Sequence, residues 1–214
     1  MKIIKRMKKC GCCGAEFEGE VCCARYSGDH GLDNKPMDAE NFPIIERCPR
    51  CGYYSFSIEK AADDRVRAVV GSEEYKEILT SEYASEMLKA LYAMLALTED
   101  QKQQEYLHML LCWVYENAGQ KKEAAEERKT AVEKMEKRYF NPDTKEAIPV
   151  EAFMIYFDCL RQLGEWTKLR EKIGEVEDDI RHHLKPEHLI CRILDFEKKA
   201  IETGDTKPHS MREV

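Results

Sequence analysis

Cys10-Gly-Cys12-Cys13-Gly14 and Cys48-Pro-Arg-Cys51-Gly52-Tyr53 place two Cys-x-x-Cys pairs early in the chain, counting Cys10 with Cys13. That spacing lets two thiolates converge on one ion, and the glycine after each pair permits the left-handed backbone of such a knuckle. Four thiolates make a closed tetrahedral site with no position left for water, which is structural and not catalytic. The expected ligands are Cys10, Cys13, Cys48 and Cys51 around one Zn2+ per chain. Cys12 competes with Cys13 for the same role. The 34 residues between the knuckles exceed the usual spacing. Strands over 15–26 and 43–47, with a turn-rich loop over 27–34, are expected to fill it.

Seven of the ten cysteines lie in the first 51 residues. In a reducing compartment, clustered cysteines read as metal ligands or redox groups before disulfides. Cys12, Cys22 and Cys23 are left over. Cys22 and Cys23 are neighbours in an expected strand and face opposite ways, so they do not share one metal. His30 is an alternative ligand, placed in the loop. A dithiol redox site expects a βαβ setting, which the pattern lacks. Cys112, Cys159 and Cys191 fall at helical core spacing and read as buried thiols.

The elements that must position these groups follow from composition. Hydrophobic residues make up 43% of the 214 and charged residues 35%, above the roughly 25% usual for soluble domains, which points to long solvated helix faces. A net charge of −7 argues against a protein built mainly to grip nucleic-acid phosphates. Residues 1–56 hold nine Lys/Arg against eight Asp/Glu; the remainder holds 25 against 33. The expected division is a zinc-ribbon-like domain over 1–56, an all-helical domain over 57–204, and a frayed tail over 205–214. The fold class is α+β, mostly α. The start is basic, but no apolar run of signal-peptide or membrane-span length follows, so a cytoplasmic protein without membrane segments is expected.

Beyond residue 57 the apolar spacing is helical. Ser57 reads as an N-cap before Ile58. Met87, Leu88, Leu91 and Leu95 form an amphipathic stripe. Thr98-Glu-Asp-Gln101 has capping-box form before a helix ending near Ala118, with Gly119 at C′. Helices are also expected over 121–139, from Pro149 to before Gly164, over 166–184 despite Gly174, and from Pro186 to near Gly204. Gly119 precedes Ala124 by five and Ala131 by twelve, which are tetratricopeptide offsets. A degenerate second copy surrounds Gly164, 45 residues later against roughly 34 for that repeat. An inserted loop over 141–148 accounts for the excess. The expected architecture is thus a set of tetratricopeptide-like antiparallel helical hairpins. Tyr115 and Tyr156 are candidates for an exposed concave binding face.

An N-terminal Cys-x-x-Cys, then Arg25, Asp29 and Asp33, then Cys48-Pro-Arg-Cys51-Gly-Tyr53 with Phe56, then tetratricopeptide-like helices, resembles a bacterial family defined only as a domain of unknown function. The first knuckle departs from the family's plain Cys-Pro-x-Cys-Gly. The resemblance implies an intracellular bacterial protein and supplies no activity.

No phosphate loop, nucleophile elbow, zincin motif or dinucleotide fingerprint occurs in the sequence. The expected function is therefore a non-enzymatic zinc-binding adaptor whose helical domain binds another protein or peptide. The second reading is a nucleic-acid-associated zinc-ribbon factor, motivated by the basic arm of Lys2, Lys5, Arg6, Lys8 and Lys9. The third is a thiol redox sensor using the spare cysteines.

Overall fold

The computed structural model describes residues 3–22, 28–37, 42–140, 149–186 and 188–214. Among these the protein is mostly helical, with a small N-terminal antiparallel β-part, an α+β chain that is mostly α. It divides into two compact units, Met1–Ser27 with Glu40–Gln120 and Gly28–Ala39 with Lys121–Val214. Residues 57–120 thus share a unit with the cysteine knuckles, and the segment after residue 27 belongs with the later helices.

In the first unit, β1 (Ile3–Lys9) pairs antiparallel with β2 (Glu16–Cys22), from Lys9 opposite Glu16 to Ile3 opposite Cys22. β3 (Glu46–Arg47) pairs with β4 (Tyr54–Ser55) in the same sense. Each hairpin is closed by one of the two knuckles. Glu16, Glu18 and Glu20 on β2 are exposed while Phe17, Gly19 and Val21 are half-buried, the period of two that a one-sided strand requires. β1 lies where a free basic arm was expected. Three of its four cations are used internally: Lys5 faces Glu18, Arg6 pairs with Glu59, and Lys8, only 5% exposed, pairs with Glu46. Glu46 also accepts from the Ile58 amide, so one half-buried carboxylate ties together both hairpins and the segment that follows.

Ser57 does not cap a helix. It begins a turn, with its carbonyl accepting from the Lys60 amide, and Ile58 is buried. The first helix, α1 (Asp64–Gly71), is capped by Asp63, whose carboxylate accepts from the Val66 amide at 2.7 Å. α2 (Glu73–Thr80) and α3 (Glu86–Leu97) are capped by Ser72 and Ser85. The cap of α4 (Gln101–Asn117) is Asp100, two residues beyond the expected Thr98; the Thr98 hydroxyl instead accepts from the Asp100 amide. α3 packs on α4 through Leu88, Leu91 and Met94 and through Leu107, Leu110 and Leu111, all buried.

The second unit contains α5 (Lys121–Tyr139), α6 (Val150–Leu163), α7 (Trp166–His183) and α8 (Leu189–Thr203). α6 contacts the other three. Gly164 and Gly204 hold left-handed backbone after α6 and α8, as the C′ glycines required. Ala124 and Ala131 are buried on α5, and Cys159 and Cys191 are buried as expected, as is Cys112 in the first unit. Tyr156 does not lie on an exposed face: it is buried and donates to Glu136 at 2.8 Å. The Tyr115 hydroxyl meets that of Tyr92. The expected insertion over 141–148 lies outside the described residues.

Two further expectations change in this unit. The loop after residue 27 is not merely solvent-facing, because Leu32 is fully buried with Met154, Ile190, Cys191 and Ile193. Residues 205–214 do not fray. Ser210 bridges to Gly31, the Leu32 amide donates to the His209 carbonyl, and the His30 carbonyl accepts from the Met211 amide. A terminal 3-10 turn, Met211–Glu213, is closed by a capping box from Ser210. Polar contacts with the 29–32 segment and with Arg161, together with Met211 and Val214 packed against the Leu32 cluster, hold this tail.

Candidate metal centre

Both knuckles are built alike. The Cys10 amide donates to the Ala15 carbonyl at 2.8 Å and the Gly14 amide to the Cys10 carbonyl at 2.9 Å. Their counterparts are Cys48 to Tyr53 at 2.9 Å and Gly52 to Cys48 at 3.0 Å. The glycines have φ of 72° and 74°, which side chains disfavour and which bends the chain so that both cysteines of a pair point inward. Backbone hydrogen bonds thus preset each half of the site.

The structure brings Cys10, Cys13, Cys48 and Cys51 together, with all four sulfurs within 4.8 Å of one another. Cys10 Sγ lies 3.9 Å from Cys51 Sγ and Cys13 Sγ lies 3.7 Å from Cys48 Sγ, so each sulfur of one knuckle meets one of the other. This cluster can hold a metal ion. Cys12 is not in it; its part is a backbone amide donating to Cys10 Sγ at 3.4 Å. His30 is not in it either. Cys23 lies outside the described residues.

Electrostatics divide the four thiols. Burial raises Cys51, and hydrogen bonding with Cys13 and Cys48 raises it further. Burial also raises Cys10, against the amides of Cys13 and Cys12. At Cys48 burial is outweighed by the amides of Cys51 and Arg50 and by the Cys51 and Cys10 thiols, which hold it down to about 7. Four sulfurs this close do not all ionise unless a cation enters among them.

Three supports of the site carry no ligand signature in the sequence. Gly11 lies against the following segment: its amide donates to the Ile58 carbonyl, its carbonyl accepts from Ala62, and a Cβ there would sit 1.9 Å from the Lys60 oxygen. Tyr75 on α2 donates to the Gly52 carbonyl at 3.1 Å. Leu79 packs on Gly52, where an added Cβ would meet Cδ1 at 2.4 Å, whereas a Cβ on Gly14 meets nothing within 4 Å. Gly14→Ala should therefore cost only left-handed strain, about 1 kcal/mol, and Gly52→Ala about 2–3 kcal/mol because Leu79 must also move. Chelator titrations of the two variants check this; equal metal retention would remove Leu79 from the account.

No helix among the described residues is long and apolar enough to cross a membrane. No family model matches the chain, and no curated protein or solved structure matches it either.

Proposed function

We propose that Cys10, Cys13, Cys48 and Cys51 hold one structural Zn2+ and that the chain is a non-enzymatic adaptor binding another protein. The four-sulfur geometry carries the reading. A tetrahedron with Zn–S of about 2.3 Å has edges of about 3.8 Å; two of the four cross-knuckle separations are 3.7 and 3.9 Å, and all the sulfurs lie within 4.8 Å of one another. Every coordination position is then a thiolate, so the ion clamps two hairpins and offers no site for substrate. What such a centre produces is a rigid surface. Among the described residues, Cys12, Cys112, Cys159 and Cys191 outside the quartet form no disulfide, which suits a reducing cytoplasm.

The nucleic-acid reading is weakened in β1. Of the Lys2, Lys5, Arg6, Lys8 and Lys9 that suggested it, Lys5, Arg6 and Lys8 each face a carboxylate of the protein itself.

Elemental analysis of protein purified without chelator should return one zinc per chain, and crosslinking in cells should return the same protein partner in repeated experiments. Absence of zinc overturns the metal assignment. Zinc present with no reproducible partner overturns the adaptor assignment.

A further inference from the structure

Beside the quartet, within the first unit, lies a cleft of about 570 Å³. Arg47, Arg50, Arg67 and Lys76 line it together with Val70 and Leu79. None of the described residues lining it is acidic, in a chain with 41 Asp/Glu against 34 Lys/Arg. We propose that this cleft is the adaptor's recognition site and that it takes a short acidic segment of a partner protein, with an aliphatic side chain among its carboxylates. The proposal rests on the adaptor reading and names the chemistry of its partner.

The cations are placed for exchange. Arg50 is exposed on the second knuckle, between Pro49 and Cys51, on backbone that the Cys48 hydrogen bonds hold. Arg47 lies over the Tyr54 ring at 5.6 Å, which restricts its guanidinium without neutralising it. Among the described residues, Arg67 and Lys76 form ion pairs with Asp64 and Glu73, three residues back on their own helices, and both acids are strongly exposed. Such exposed pairs are worth about 0–1 kcal/mol, so a ligand carboxylate replaces them at little cost. Three of the four cations are arginines, whose planar fork accepts a carboxylate in two parallel hydrogen bonds. The filled quartet carries two net negative charges, and four cations outnumber them.

The occupant's class follows from what surrounds these charges. Single-stranded nucleic acid is held by bases stacked on rings, and none of the described residues lining the cleft is aromatic. A long polyanion would also run out of the cleft across a chain of net charge −7. A short peptide does neither, and Val70, Leu79 and Pro49 give its aliphatic group an apolar wall.

The test uses the full zinc-loaded chain on an array of octapeptides varied at every position, with oligothymidylate as a second probe. Retained peptides should be enriched in Asp and Glu around Leu, Ile or Val, and binding should weaken with added salt. The R50E/R67E variant should keep its zinc and lose about tenfold or more in retention. An array without acidic enrichment, equal retention by the variant, or tighter binding of oligothymidylate overturns the proposal. Partner crosslinks that persist in R50E/R67E would defeat the cleft and leave the adaptor reading standing.

Discussion

Cys48→Ser is expected to empty the metal centre and unfold both hairpins, while the second unit keeps its helical circular dichroism. β3 and β4 are two residues each, and the knuckles bury little beyond the sulfurs, Tyr53 and Tyr54. Structural zinc in such small modules contributes about 10–16 kcal/mol, against a total stability of about 5–15 kcal/mol for an ordinary domain. No packing in the hairpins replaces a term of that size. The damage should spread along identifiable contacts, through Gly11 to residues 58–62 and through Gly52 to Tyr75 on α2. The α3–α4 pair has its own leucine core and should retain protected amides. Cys12→Ser is the control: its sulfur is outside the quartet and its amide is unchanged, so zinc should stay at one per chain. Elemental analysis with hydrogen exchange reads both variants. Zinc retained by Cys48→Ser, or lost from Cys12→Ser, would mean a different ligand set.

The four clustered cysteines are legible in the sequence because a Cys-x-x-Cys-Gly knuckle is local: its spacing, glycine and hydrogen bonds lie within six residues. Helix α5 and the stops at Gly119, Gly164 and Gly204 are legible for the same reason, since a C′ glycine acts within one turn. Apart from the α4 cap, which moves only from Thr98 to Asp100, the errors involve partners farther along the chain. Lys8 looks like one cation of a solvated arm until Glu46, 38 residues away, buries it. Leu32 is a single apolar residue among Gly, Asp and Asn, so no periodicity marks it, yet it completes the core of a helical unit that begins ninety residues later. The tail is read as frayed because it lacks apolar periodicity, but Asp29 supplies acceptors to Ser210 and Arg212 that a one-dimensional pattern does not display. Choosing Ser57 over Asp63 as the first cap is a smaller error of the same kind, because the buried Ile58 amide already belongs to Glu46.

Arg161→Met should cost the second unit about 3–5 kcal/mol, because it leaves the buried Asp158 carboxylate without its cation. Arg161, Asp158 and Glu197 are all fully buried. The guanidinium donates to Asp158 and to the carbonyls of Asp205 and Lys207, lies over the Phe196 ring, and has Nε 3.4 Å from Glu197. Lysine offers no such fork, so Arg161→Lys should recover little. Loss of the two carbonyl contacts should also expose residues 205–214 to proteases. Glu197 is the weak member, since neither of its oxygens has a hydrogen-bond partner among the described residues. Burial, and then Asp158, outweigh Arg161 and push it up to about 8. Between about pH 4.5 and 8 the folded protein therefore holds a proton that the unfolded chain has released. That contribution is complete below about 4.5 and is lost as pH rises through about 8, so stability should fall across this window. Glu197→Gln keeps the shape without the charge; it should flatten the decline and exceed wild type at pH about 9 by an amount on the order of 2–4 kcal/mol. Denaturant unfolding from pH about 5 to 9 measures both effects. A pH-independent difference between wild type and Glu197→Gln, or a cost below about 1 kcal/mol for Arg161→Met, would mean that water reaches these carboxylates and that the network does not hold the unit together.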